Sequence, residues 1–207
     1  MSSFTYESDN RLSTYETFEW DNTWIDHAND TQKRRALYIG DSISCGTRKL
    51  CTERSEGTWL FDGFGTSKAL DNPVFWESLR LFASQEAGRD AILFNNGLHG
   101  WHLRDDGEYA IYYERMIWNL QREYPDTPLY LVLSTSVQNA DDELRVQKRN
   151  EMVTSLAKQR GLPIIDLYSV SVCYKNLRTQ DGVHYTKEGY EMFADAILNA
   201  LDGKGNH

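Results

Sequence analysis

Short apolar runs bounded by turn residues recur along the chain at 36–40, 90–95, 129–134 and 163–167. Each has the length of a buried strand and is too short for an ordinary helix. Between them lie longer stretches whose apolar positions return every three or four residues: Pro73 to Gln85, Glu108 to Glu123, Asp141 to Arg160 and Thr186 to Leu201. That spacing predicts helices with one buried face. In the last of them Met192, Phe193, Ala196, Ile197, Ala200 and Leu201 form a single stripe, Thr186 stands where an N-cap belongs, and Gly203 follows the end. Strands alternating with helices predict a parallel sheet covered on both faces.

Trp59-Leu60-Phe61 reads as a further short strand, which brings the sheet to about five. The expected fold class is therefore α/β, a flavodoxin-like three-layer α/β/α sandwich. Residues 1–35 break the alternation. They are rich in Ser, Thr, Asp, Asn and Glu, with aromatic residues at Tyr15, Phe18, Trp20 and Trp24. They read as an N-terminal extension ahead of a domain spanning 36–207. One helical turn would place Trp20 and Trp24 on a common face, to dock on the domain, to meet a second subunit in a homo-oligomer, or to stack on a sugar. Docking on protein is the expected use. Asp21, Asp26, His27 and Asp30 carry ligating atoms, but their spacing matches no cation-binding loop, so they read as a solvated polar face.

The 207 residues suffice for one domain with a sizeable core. Lys and Arg number 22 against 31 Asp and Glu, a net charge of -9, and no segment gathers the cations into a stripe. Nucleic acid is thereby excluded as an expected partner. No apolar run is long enough to cross a bilayer, and Met1 is followed by polar residues, so no membrane partner is expected and a cytoplasmic location is, unless a signal peptide has been removed. Cys45, Cys51 and Cys173 show no CxxC spacing, which argues against a disulfide framework or a zinc site.

The chemistry lies at the two ends of the domain. The first run empties into Gly40-Asp41-Ser42-Ile43-Ser44, and Asp181-Gly182-Val183-His184 stands just before the last helix. A hydroxyl attacks a carbonyl poorly until an imidazole takes its proton and a carboxylate fixes the imidazole's tautomer. Ser42, His184 and Asp181 supply those three roles, and Ser42 falls at the carboxyl end of a strand, where open parallel sheets place their crevices. A helix beginning there would set the Ser42 amide at its positive end, suited to an oxyanion. A second block, Asn95-Asn96-Gly97-Leu98-His99-Gly100-Trp101-His102, also follows a strand. Asp62-Gly63-Phe64-Gly65-Thr66-Ser67 reads as flexible backbone able to present another amide.

In these blocks the sequence resembles the SGNH hydrolases, the superfamily of GDSL-type esterases and lipases, from about residue 36 to 201. The resemblance implies Ser42 as nucleophile, His184 as general base and then acid, and Asp181 as its orienting partner, with no bound metal or cofactor. It also implies an oxyanion hole made by the nucleophile's amide, a glycine amide and an asparagine side chain. Gly65 is favoured over Gly63 for the glycine. Where the family has asparagine this chain has His99, so the third donor is His99, Asn95 or Asn96. The Asn-Asn-Gly-Leu-His run resembles a bacterial branch grouped with carbohydrate-active proteins. The expected substrate is a short-chain ester, an O-acetyl group on a carbohydrate, with Trp59, Trp76, Trp101 and Tyr185 as candidate sugar-stacking faces; all four also suit a core, which is the expected place of Trp76. A lysophospholipase or thioesterase with the same triad, and a carbohydrate-binding pseudoenzyme, are the alternatives.

Overall fold

A computed structural model describes residues 13–86, 88–104 and 107–203. Among them a six-stranded sheet is built from β1 (Asp21–Trp24), β2 (Arg34–Gly40), β3 (Trp59–Thr66), β4 (Ala91–Phe94), β5 (Leu129–Val132) and β6 (Ile164–Ile165). The strand order is β1-β3-β2-β4-β5-β6. From β3 to β6 all neighbours are parallel, whereas β1 runs antiparallel along β3, with Asn22 opposite Gly65. The five parallel strands are the doubly wound sheet expected of the sequence, and the sixth comes from the N-terminal segment.

The period-two alternation of β2 separates the two layers. Leu37 and Ile39 face a core shared with α2 (Phe75–Ala83), α3 (Glu108–Glu123) and α4 (Ala140–Arg160). Ala36 and Tyr38 face the opposite core, which includes α1 (Ser42–Arg54), the start of α5 (Leu167–Cys173) and α6 (Lys187–Leu201). Local chemistry fixes the helix ends. Asn139 caps α4 by accepting from the amides of Asp141 and Asp142 at 3.0 and 3.1 Å, and Thr186 caps α6 through Gly189.

Two expectations change. The run from Asp62 to Thr66 is the second half of β3, and not a flexible loop. Its glycines serve packing: a Cβ on Gly63 would collide with the Arg48 side chain, and one on Gly65 with Cys45 Sγ, both from α1. Residues 20–24 form no helical turn. Trp20 leads into a strand, and Trp24, in that strand, remains 49% exposed. The extension is also continuous with the sheet, since β1 borders β3 and β2 already begins at Arg34. Its first twelve residues lie outside the described ones.

Buried charges tie the segment down. Asp62, fully buried in β3, meets Arg35 at 2.6 Å and Arg89 at 3.3 Å and accepts from the Asp26 amide at 3.1 Å. Arg35 also donates to the carbonyls of Asp26, His27 and Asp30, so the turn after β1 is wrapped around one guanidinium. Asp21, Asp26 and Asp30 thus have separate partners: Asp21 meets Lys68, Asp26 meets His27 and Thr52, and Asp30 meets Lys33.

Candidate active site

Ser42 is the first residue of α1, directly beyond the carboxyl end of β2. Asp41 starts the helix, its carboxylate accepting from the Ile43 amide at 2.9 Å while its carbonyl accepts from Ser44 Oγ and the Cys45 amide. The other carboxylate oxygen of Asp41 lies where a Cβ on Gly97 would be, and Gly97 has φ +63°. Space and backbone conformation therefore both require glycine in the Asn-Asn-Gly-Leu-His loop.

From the opposite end of the chain, His184 reaches Ser42. Its Nε2 lies 2.8 Å from Ser42 Oγ, and its Nδ1 lies 2.8 Å from Asp181 Oδ2. The other oxygen, Asp181 Oδ1, accepts from the amides of Val183 and His184 at 2.9 Å each and from Thr179 Oγ1 at 2.8 Å. Partial burial opposes ionisation of Asp181, but those two amides, the imidazole and the hydroxyl outweigh it and hold the carboxyl far below the usual carboxylate range. A permanent carboxylate on Nδ1 keeps the proton on that nitrogen and leaves Nε2 to accept one from the serine. Thr179 escaped notice in the sequence, although a Thr two residues ahead of Asp-Gly is ordinary turn chemistry.

The expected oxyanion donors are placed differently from one another. Gly65 sits inside β3, in the ladder between β1 and β2, and is buried. Asn95 spends its amide nitrogen on the Val132 carbonyl at 2.6 Å and Ser134 Oγ at 3.1 Å, which ties the end of β4 to that of β5. Asn96 donates to the Lys68 carbonyl at 3.1 Å. His99 is buried, with Nδ1 3.2 Å from Glu16 of the N-terminal segment and its ring edge-on to Trp20.

A cavity of about 430 Å³ opens over the serine, lined by Trp20, Asp21, Asn22, Ser42, Cys45 and His184. A second, of about 350 Å³, lies beyond Asp181, between the Gly182 turn and the start of α4. A larger one of about 730 Å³ sits between α2 and the end of α3, and none of Ser42, His184 and Asp181 lines it. The four aromatic residues that were candidates for a stacking face are elsewhere, Trp76 at a core, its expected place. Trp59 is fully buried beneath the Arg34 guanidinium, and Tyr185 stands in the α6 core. Trp76 packs against the opposite core, and Trp101 is covered by Arg145 and Arg149. Among the described residues that line the cavity at the serine, the aromatic one is Trp20.

The fold is the three-layer architecture shared by the GDSL-type esterases and lipases. The acetyl xylan esterase AlAXEase superposes with a TM-score of 0.64 at 19% identity, covering 81% of this chain and 99% of that one. A lipase/acylhydrolase from Enterococcus faecalis gives 0.64 at 15% identity, over 83% of this chain and 96% of its own. A catalytic mutant of an acetylxylan esterase from Geobacillus stearothermophilus gives 0.62 at 14% identity, over 81% and 94%. No protein-family model and no curated protein matches the sequence.

Proposed function

We propose that the protein is a serine esterase of the SGNH kind that removes a short acyl group, an O-acetyl on a carbohydrate, through an acyl-enzyme. The observation that carries this is the unbroken hydrogen-bond relay from Ser42 through His184 to Asp181, assembled from residues 142 positions apart. Ser42 Oγ attacks the ester carbonyl as its proton passes to His184 Nε2. The Ser42 amide, in the first turn of α1, offers the developing oxyanion a donor backed by the helix dipole. The imidazolium then protonates the departing alkoxide, leaving Ser42 acylated. Water attacks the acyl group, gives its proton to Nε2, and the acid leaves as that proton returns to the serine. Two of the similar structures are acetyl xylan esterases, which supports the acetylated-carbohydrate reading.

The test is hydrolysis of p-nitrophenyl esters from acetyl to decanoyl, wild type beside Ser42→Ala, with a fluorophosphonate label read by intact mass. Turnover greatest on acetyl, one label on the wild type and none on the variant are the expected results. A long-chain optimum would turn the reading to a lysophospholipase or thioesterase. Absence of both turnover and label in the wild type would sink it.

A further inference from the structure

The crevice over Ser42 owes half of its lining to the N-terminal segment: Trp20, Asp21 and Asn22, against Ser42, Cys45 and His184. We infer that Trp20, Asp21 and Asn22 form the wall that recognises the sugar carrying the ester, so that this segment selects the alcohol half of the substrate. The inference rests on the esterase reading above.

The chemistry of the wall is two-sided. Asp21 spends Oδ1 on Lys68 Nζ at 2.7 Å and Thr66 Oγ1 at 2.6 Å, and Asn22 spends Oδ1 on Arg48 Nη2 at 2.7 Å. Asp21 Oδ2, an acceptor, and Asn22 Nδ2, a donor, have no hydrogen bond among the described residues. An indole in a wall that also carries polar residues suits a pyranose ring, which has an apolar C–H face and a rim of hydroxyls.

The wall is also held rigidly, which lowers the ordering cost of binding. The Trp20 amide donates to Ser67 Oγ at 2.9 Å, and its carbonyl accepts from the Ser67 amide and Thr66 Oγ1, each at 3.1 Å. Its ring meets buried His99 edge-on, with 6.1 Å between centroids, and Glu16 holds His99 from behind. This gives the Asn-Asn-Gly-Leu-His loop a second use: its histidine backs the wall.

The experiment compares p-nitrophenyl acetate with a mono-O-acetylated methyl xylopyranoside on wild type, Trp20→Ala, Trp20→Phe and Trp24→Ala. In Trp20→Ala, kcat/KM on the glycoside should fall about tenfold further than on p-nitrophenyl acetate, mainly through KM. Trp20→Phe, which keeps a ring, should recover most of that difference, and Trp24→Ala should leave the ratio as in wild type. Equal losses on both substrates, or none, would overturn the wall while leaving the esterase intact. Calorimetric titration of the glycoside into Ser42→Ala separates the two readings: binding weakened about tenfold by adding Trp20→Ala supports the wall even if no variant hydrolyses anything. Binding that ignores Trp20 would overturn it.

Discussion

Asp181 decides more than its exposed position suggests, because four donors converge on its two oxygens. Its folded pKa is depressed. The stability it contributes is therefore present above the ordinary carboxylate range, near pH 4, and fades as pH falls through the lower folded value. Across neutral and mildly acidic pH the carboxylate stays ionised, so the acid limb of kcat/KM must come from protonation of the imidazole, which then cannot take the serine proton. Asp181→Asn should lower kcat roughly 10³- to 10⁴-fold, as loss of the orienting acid does in such triads. The acid limb should persist in the variant at a lower plateau, and pH profiles of both proteins check this. A limb that vanished with the carboxylate would assign it to Asp181. At this scale the sequence was most readable, since Ser42, Asp181 and His184 sit in short local blocks whose geometry follows from one strand end and one tight turn. The oxyanion donors were not readable, because whether an asparagine amide faces a crevice or a neighbouring carbonyl depends on contacts distant in sequence. Asn95 shows this, held by the last residue of β5 and by Ser134 just beyond it.

Among the elements, the long helices were legible and α1 was not. Helices α3, α4 and α6 carry apolar stripes, and their ends fall within one residue of the expected ones. The buried face of α1 is Ile43, Ser44, Thr47, Arg48 and Cys51, mostly polar, and so has no stripe to read. It can be polar because Thr47 bonds the Ile43 carbonyl, Arg48 bonds Asn22, and the strand beneath offers glycines where side chains would stand. Strand β1 hid for a related reason: it is a polar edge strand, exposed along its length, with no apolar alternation. The packing of α1 on β3 gives a prediction. Gly65→Ala should strain the approach of Cys45 and cost about 1–3 kcal/mol in urea unfolding, with a loss of activity as α1 carries Ser42 off line. Cys45→Ala removes the colliding sulfur, so the double variant should be more stable than the sum of the singles implies. Strict additivity would show that the helix does not bear on that glycine.

For the whole molecule, the distant N-terminal segment is made part of the site by charges buried in the sheet. Arg35 joins Asp62 to three carbonyls of the turn after β1, and Arg89 reaches the same carboxylate from the start of β4. Two guanidiniums and one carboxylate out of water are tolerable only together, because a buried charge stripped of its partner keeps its full desolvation cost. Asp62→Ala should therefore destabilise the fold by about 3–5 kcal/mol, a large share of the stability of a domain this size. Lys49→Ala breaks an exposed pair with Glu53 and should cost no more than about 0.5 kcal/mol in the same urea experiment. The buried variant should also lose hydrogen-exchange protection in β1 before β5, since the tie it cuts reaches the N-terminal turn on one side and only the approach to β4 on the other. Because β1 follows Trp20 and includes Asp21 and Asn22, that loosening should raise KM for an acetylated glycoside under conditions where the remaining sheet is still folded. Protection lost evenly over all strands would mean instead that the cluster holds the molecule as a whole, with no separate grip on the segment that walls the crevice.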